Sequence, residues 1–236
     1  MSYGKPAFRA PIFVVETKAY LWGRKALELA KTVEKVSKKS GVYFLFVPQL
    51  VDVRLITENV DIPVFAPNID PIKPGRGLGR DLPEALKDAG VAGTILNHAE
   101  RRRTLNEIEG CIRRAREVGL LTIVCCDSPR SAAALAQLQP EAILSEPPEL
   151  IGTLKSVVKE MRSFVAESVE AVKKVNERVL AIVGAGVSSG EDAAQILKLG
   201  ADGTGAARAI CESRDPERLL SEIAEAMEKE WERRDE

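Results

Sequence analysis

Three side chains with complementary chemistry follow apolar runs of the chain: Lys18, His98 and Glu146. A carboxylate can take a proton from a carbon next to a carbonyl group, while an imidazole and a cation stabilise the charge that develops on oxygen. His98 is the one histidine in 236 residues. A lone histidine is more often a hydrogen-bonded surface or core residue than a catalyst, so its function depends on what the fold places beside it.

A glycine-rich stretch, "GAGVSSGED" at 184–192, adds a second kind of chemistry. It predicts a turn that runs into a helix, where free backbone N–H groups can hold a phosphate. By itself this motif is weak, and its meaning depends on its place in the fold.

Short apolar runs alternate with longer amphipathic segments along the whole chain. The predicted strands are 11–16, 42–47, 62–66, 93–97, 121–126, 142–146 and 179–184, with a weak, glycine-rich eighth at 202–207. The first seven are almost continuously apolar, as in parallel strands buried on both faces.

Cap residues and stop signals predict where the intervening helices begin and end. The signals are a capping box at Thr104 and Glu107, cap–proline pairs at Ser128-Pro129 and Asp215-Pro216, a helix start at Ser189 that ends near Gly200, and stops at Gly41 and Gly119.

Strand–helix units repeated about eight times predict an α/β fold with a parallel sheet, either open and doubly wound or closed as a (β/α)8 barrel. Eight units in about 230 residues favour the barrel as a single domain over 1–236. We treat 1–10 as an N-terminal extension and 230–236 as a charged tail that frays.

A barrel places its chemistry at the C-terminal ends of the strands. Lys18 follows strand 1, His98 follows strand 4, Glu146 ends strand 6 and the glycine-rich stretch follows strand 7. The barrel prediction therefore brings all of them to one face.

Composition excludes several classes of protein. The net charge is −1 with no basic stripe, which argues against a nucleic-acid partner. No apolar run approaches the roughly 20 residues that span a bilayer, and the first residues do not resemble a signal peptide. The four cysteines form no C-x-x-C pair, so we expect no metal site, and a reducing, cytoplasmic location.

Several stretches resemble archaeal triosephosphate isomerases. They are "NHAERR" (97–102), "EPPELIGT" (146–153), "GAGVSSGED" (184–192), "DIPVFA" (61–66) and "VEAVKKVN" (169–176). The resemblance runs from about residue 10 to 220. It implies a barrel that interconverts glyceraldehyde 3-phosphate and dihydroxyacetone phosphate in glycolysis and gluconeogenesis, without cofactor or metal, as a dimer or tetramer.

The resemblance also implies a role for each residue of the motifs. Glu146 would be the base, His98 the neutral electrophile, Lys18 the electrostatic stabiliser and Glu100 the support of that lysine. Residues 147–155 would form a lid.

The resemblance assigns the phosphate to backbone N–H groups. The one in the lid is that of Gly152. The others lie around Gly186–Ser188 and Ala207–Arg208.

Departures from the family pattern cluster near the same site. Glu16 replaces an asparagine that contacts substrate, Leu78 a threonine in the third loop, Ala99 a serine, Leu154 a lid glycine and Arg208 a small residue of the eighth loop. Glu16 could pair with Lys18, and Arg208 could grip a phosphate or fill the site. Three hypotheses stay open: a triosephosphate isomerase, a diverged paralogue acting on another sugar phosphate or small carbonyl compound, and a non-catalytic barrel that binds a phosphorylated ligand or a protein.

Overall fold

The structure, a computed structural model, describes residues 8–234. Within that range the strands are β1 (Ile12–Glu16), β2 (Tyr43–Val47), β3 (Phe65–Ala66), β4 (Gly93–Leu96), β5 (Leu121–Cys126), β6 (Ala142–Ser145), β7 (Leu180–Val183) and β8 (Gly203–Ala206). The helices are α1 (Gly23–Ser37), α2 (Val53–Thr57), α3 (Pro83–Asp88), α4 (Leu105–Val118), α5 (Pro129–Ala136), α6 (Val157–Glu160), α7 (Arg162–Val175), α8 (Gly190–Lys198), α9 (Arg208–Cys211) and α10 (Pro216–Glu232). Short 3₁₀ turns cover Leu50–Asp52 and Pro148–Leu150.

The eight strands are parallel in the order β2-β1-β8-β7-β6-β5-β4-β3. A parallel bridge between Phe46 and Val64 joins the two ends of this order, so the sheet forms a nearly closed (β/α)8 barrel. The barrel prediction is confirmed, and the open doubly wound sheet is wrong.

Alternating side chains of each strand divide the core in two. On β1, Ile12 and Val14 point into the barrel, whereas Phe13 and Val15 pack against the surrounding helices. Phe8 stacks on Phe65, with ring centroids 5.7 Å apart, and belongs to the inner cluster. Both faces of the sheet are therefore buried, which is why the strands read as continuous apolar runs.

Most of the predicted helix starts and ends are confirmed. Thr104 and Glu107 form the capping box of α4, Gly119 ends it with a left-handed φ of 75°, and Ser128 caps α5. Gly41 is not the stop of α1, because that helix already ends at Ser37 with Lys38 in a right-handed conformation.

Two boundaries differ from the prediction. The third strand is only Phe65–Ala66 instead of 62–66, because its first residues contribute a single bridge to β2. The predicted charged tail begins inside a helix, since α10 continues to Glu232. The Arg234 guanidinium lies over the Trp231 ring, 4.7 Å from its centroid. Residues 1–7 and 235–236 of the two predicted extensions lie outside the described range.

Candidate active site

Lys18, His98, Glu100 and Glu146 meet at the C-terminal ends of β1, β4 and β6. The Nε2 atom of His98 lies 3.3 Å from Oε2 of Glu146 and 3.2 Å from Nζ of Lys18. The Lys18 ammonium donates to Oε1 of Glu100 at 3.3 Å. The structure thus brings together the four residues that the sequence motifs marked as catalytic.

The imidazole of His98 is oriented by the backbone of its own loop. The N–H of Glu100 donates to Nδ1 at 3.2 Å. In the neutral ring the proton is then on Nε2, the nitrogen that faces Glu146 and Lys18. A neutral imidazole in this orientation can donate a hydrogen bond to an oxygen between these groups.

Asn97 holds the start of that loop, a role that the sequence reasoning missed. It has a left-handed φ of 59°, accepts from the N–H of Arg103 at 2.9 Å and donates to the carbonyl of Cys125 at 2.9 Å. Asparagine is one of the few residues besides glycine that adopt this conformation readily. An asparagine directly after a predicted strand is the signal that could have identified it.

Lys18 is held in a similar way. Its φ is 44°, and its carbonyl accepts a hydrogen bond from the side-chain amide of Gln49, which follows β2. Nothing in the sequence marks Gln49 for this role, because the contact joins residues 31 positions apart.

Neighbouring charges set the protonation of the cluster. Burial lowers the pKa of Lys18. While Glu16 is ionised, its carboxylate and those of Glu146 and Glu100 outweigh this effect, so the pKa lies above its usual value. Burial also lowers the pKa of His98, whereas the hydrogen bond to Glu146 and the charge of Glu16 raise it by more. While Glu146 is an anion, the net effect favours protonation of His98.

Glu146 stands where β6 passes into the predicted lid. Its N–H donates to the carbonyl of Cys126 at 2.9 Å, which extends the pairing of β5 and β6 by one residue. Gly184 leaves room for its carboxylate, because a Cβ there would lie 2.7 Å from Oε1. The glycine-rich stretch therefore accommodates the proposed base as well as offering backbone N–H groups.

The predicted phosphate-binding residues only partly converge. Gly152, Gly186, Ala207 and Arg208 line one cavity with Glu146. Ser188 does not line it, and its backbone N–H donates to the carboxylate of Asp192 at 3.1 Å. That amide already has a partner within the protein.

Arg208 is bonded to the lid. Its Nη1 donates to the carbonyl of Gly152 at 3.0 Å, and its Nε donates to Glu212 at 2.8 Å. Two nitrogens of the guanidinium are thus bonded within the protein, although the residue lines the cavity. The Arg208 side chain therefore joins the loop after β8, the eighth loop, to the lid.

The family model described as triosephosphate isomerase matches residues 11–227 of this chain. The chain belongs to the triosephosphate isomerase family. A protein named triosephosphate isomerase from Methanocaldococcus jannaschii is 43% identical over 214 residues, which cover 90% of this chain and 98% of the relative. Proteins of the same name from Sulfurisphaera tokodaii and Caldivirga maquilingensis are 41% and 40% identical, covering 91% and 93% of this chain and 94% and 98% of their own.

The departures from the family pattern lie at different depths of the site. The Glu16 carboxylate is 3.7 Å from the Lys18 ammonium, a distance that allows an ion pair but no hydrogen bond. Ala99 follows His98 and is half-buried, and Leu154 has a left-handed φ of 63°. Leu78 is fully exposed at the tip of the third loop, which joins β3 to α3. It lines neither the cavity that contains Glu146 and Arg208 nor a second cavity that contains His98 and Glu100, and we call the end of the barrel with these two cavities the barrel mouth.

Proposed function

We propose that this chain is a triosephosphate isomerase that interconverts glyceraldehyde 3-phosphate and dihydroxyacetone phosphate. The observation that carries the proposal is the contact of His98 with both Glu146 and Lys18, while its other nitrogen accepts a backbone N–H. A base, a neutral hydrogen-bond donor and a cation are the groups that an enediolate mechanism needs.

In the proposed reaction Glu146 takes a proton from the carbon next to the substrate carbonyl. The electrons of that C–H bond form a carbon–carbon double bond, and the carbonyl oxygen becomes an oxyanion that His98 and Lys18 stabilise. The hydroxyl group on the deprotonated carbon then passes its proton to this oxyanion. Glu146 gives its proton to the former carbonyl carbon, so the new carbonyl group forms on the carbon that was first deprotonated and Glu146 is ionised again. Once Glu146 is protonated it no longer raises the pKa of His98, which favours the neutral imidazole at the step that uses it.

The phosphate of the substrate is assigned to the cavity beside this cluster. Gly152 of the lid, Gly186 after β7 and the Ala207–Arg208 segment line it. Backbone N–H groups bind a phosphate without bringing another titratable group. Movement of the lid, residues 147–155, would exclude water during the reaction.

A coupled assay with glyceraldehyde 3-phosphate tests the proposal. We expect turnover in the wild type and a loss on the order of 10³-fold in kcat for Glu146→Ala. Glu109→Ala, at an exposed position of α4, is the matched control and keeps full activity. Equal background rates in all three proteins would contradict the proposal.

The two alternatives make different predictions. A paralogue would bind phosphorylated ligands and fail to turn over triose phosphates, and a non-catalytic barrel would lose nothing in Glu146→Ala except stability. Relatives that carry one name at about 40% identity over most of the chain do not favour either alternative.

We also propose that the active form is a homo-oligomer in which the third loop reaches a neighbouring copy. The base of the loop is rigid, since Asn68 donates to Asp81 at 2.6 Å and Arg103 binds Asp70 at 2.9 Å, while Leu78 at its tip is fully exposed. Light scattering on the wild type and Leu78→Asp tests this. In the proposed oligomer the loop tip is buried against the neighbouring copy, so a charge there would weaken the assembly.

A cytoplasmic location is part of the proposal. Among residues 8–234, no helix combines the length and the apolar character that crossing a membrane requires.

A further inference from the structure

Glu16 ends β1 with its carboxyl group facing the barrel mouth. The side chain is 14% exposed and lines two cavities at once. One contains Glu146, Gly186 and Arg208, and the other contains His98 and Glu100. This carboxyl group is therefore part of the wall of both cavities.

The carboxyl oxygens of Glu16 receive no hydrogen bond from the part of the chain between residues 8 and 234. The Lys18 ammonium is 3.7 Å away and donates instead to Oε1 of Glu100 at 3.3 Å. A buried carboxylate with so few partners is costly, whereas a carboxylic acid in the same place is much less so.

Burial favours the neutral acid, and the opposite charges nearby do not fully offset it. The titratable groups that face Glu16 are Lys18 after β1, His98 and Glu100 after β4, Cys125 on β5, Glu146 after β6 and Cys211 on α9. Burial raises the pKa of Glu16, Lys18 and His98 lower it, and Glu146 and Glu100 raise it, with a net increase. The ion pair with Lys18 does not reverse this, because that ammonium is shared with Glu100 and lies beyond hydrogen-bond distance of Glu16.

We propose that Glu16 binds the substrate as a neutral carboxylic acid whose hydroxyl donates a hydrogen bond to a substrate oxygen, so that substrate binding is linked to a proton on Glu16. This inference rests on the proposed function. A carboxylic acid offers one donor and one acceptor, as a primary amide does. An ionised Glu16 would repel the phosphate dianion and would favour protonation of His98, so it would oppose both binding and the electrophile.

The pH dependence of kcat/KM for glyceraldehyde 3-phosphate tests the inference between pH 5 and 9.5. Wild type and Glu16→Gln are measured side by side, so that the ionisation of the substrate phosphate affects both equally. Above pH 7 the substrate phosphate, with a second pKa of about 6, is already a dianion. As the pH rises through the pKa of Glu16, we expect kcat/KM of the wild type to fall towards tenfold per pH unit, mainly through KM. Glu16→Gln, which is permanently neutral, should lack this decrease, and Glu109→Gln should keep it.

An identical alkaline decrease in the wild type and Glu16→Gln would overturn the inference while leaving the isomerase assignment intact. If the wild type has no isomerase activity at any pH, the proposed function fails instead. Calorimetry with glycerol 3-phosphate in buffers of different ionisation enthalpy then tests Glu16 alone. Proton uptake on binding at the alkaline end of the range, absent in Glu16→Gln, supports the inference, and binding without uptake in the wild type contradicts it. Should Glu16→Gln fail to fold, Glu16→Asn takes its place.

Discussion

The two sides of the barrel mouth are held by different kinds of contact. On the catalytic side, formed by Lys18, His98 and Glu100, side chains are fixed by hydrogen bonds to and from the backbone at the strand ends. On the lid side, formed by Gly152, Leu154, Gly186 and Arg208, loops pack directly on other loops. The catalytic side is thus attached to the strand ends, and the lid side consists of contacts between loops.

This difference follows from what each side must do. Proton transfer requires groups aligned to within a fraction of an ångström, which strand ends provide. A lid must open, so its contacts have to be few and individually weak. Glu146 belongs to both sides, because its N–H is bonded to β5 while the next residue begins the lid.

The largest effect is expected on the catalytic side. His98→Asn removes the electrophile and should lower kcat by about 10²- to 10⁴-fold with little change in KM. Because the pKa of His98 is raised, the acid limb of the pH profile should also change in the variant. A loss confined to KM would show that His98 only binds substrate. The thermal midpoint serves as the control for folding.

The catalytic side could be predicted from the sequence because each residue follows a strand at a recognisable motif. Parallel strands bring their C-terminal ends together, so His98 and Glu146 meet although 48 positions separate them in the printed sequence. Gln49 was missed, because its contact with the Lys18 carbonyl involves no special residue type. Asn97 was also missed, although an asparagine directly after a predicted strand favours a left-handed backbone conformation.

The lid side was harder to predict because its contacts depend on loop geometry. The bond from Arg208 to the carbonyl of Gly152 joins residues 56 positions apart. The N–H of Ser188 was assigned to phosphate, yet a carboxylate four residues later in α8 already accepts from it. Residue type alone indicates that the Arg208 guanidinium and the Ser188 N–H form hydrogen bonds, but the partners follow only from how the loops fold.

A change at Gly186 should disturb the lid side strongly. Gly186 has a φ of 69°, and a Cβ there would overlap the carbonyl oxygen of Lys155 in the lid. We expect Gly186→Ala to displace the lid and lower kcat/KM by roughly 10²-fold. Gly119→Ala is the matched control, since Gly119 has a φ of 75° with no atom within 4 Å of the added Cβ. If both variants keep wild-type kinetics, the contact between Gly186 and the lid does not matter for catalysis.

Asp192 on α8 joins α6, which follows the lid, to the glycine-rich stretch after β7, and should make the stability of this region depend on pH. Its buried carboxylate binds the Lys159 ammonium at 2.7 Å and accepts from Ser188 at 3.1 Å. Burial raises its pKa, but these hydrogen bonds outweigh it, so the pKa lies below its usual value. The stabilisation is therefore complete above the unfolded pKa, near 3.9, and is lost as the pH falls through the lower folded pKa.

We expect Asp192→Asn to lower the free energy of unfolding by about 1–3 kcal/mol at pH 7, with a smaller difference below pH 4. Urea denaturation at several pH values measures this. Asp88→Asn, at an exposed side chain, should change stability little. A difference from wild type that stays constant with pH would show that the charge of Asp192 is not what stabilises this region.

The smallest effect is expected at Leu154 in the lid, whose backbone has a left-handed φ of 63°. A left-handed conformation costs a residue with a Cβ about 1–2 kcal/mol, whereas glycine loses about 0.5–1 kcal/mol of conformational entropy on folding. Leu154→Gly should therefore stabilise the fold by about 0.5 kcal/mol, and a freer lid should raise kcat roughly two- to threefold. Gln139→Gly relieves the same strain at an exposed position, φ 55°, outside the mouth. Both variants should gain stability. If only Leu154→Gly also changes kcat, strain in the lid affects its motion as well as the stability of the fold. If kcat is the same in both variants and the wild type, the strain affects stability alone.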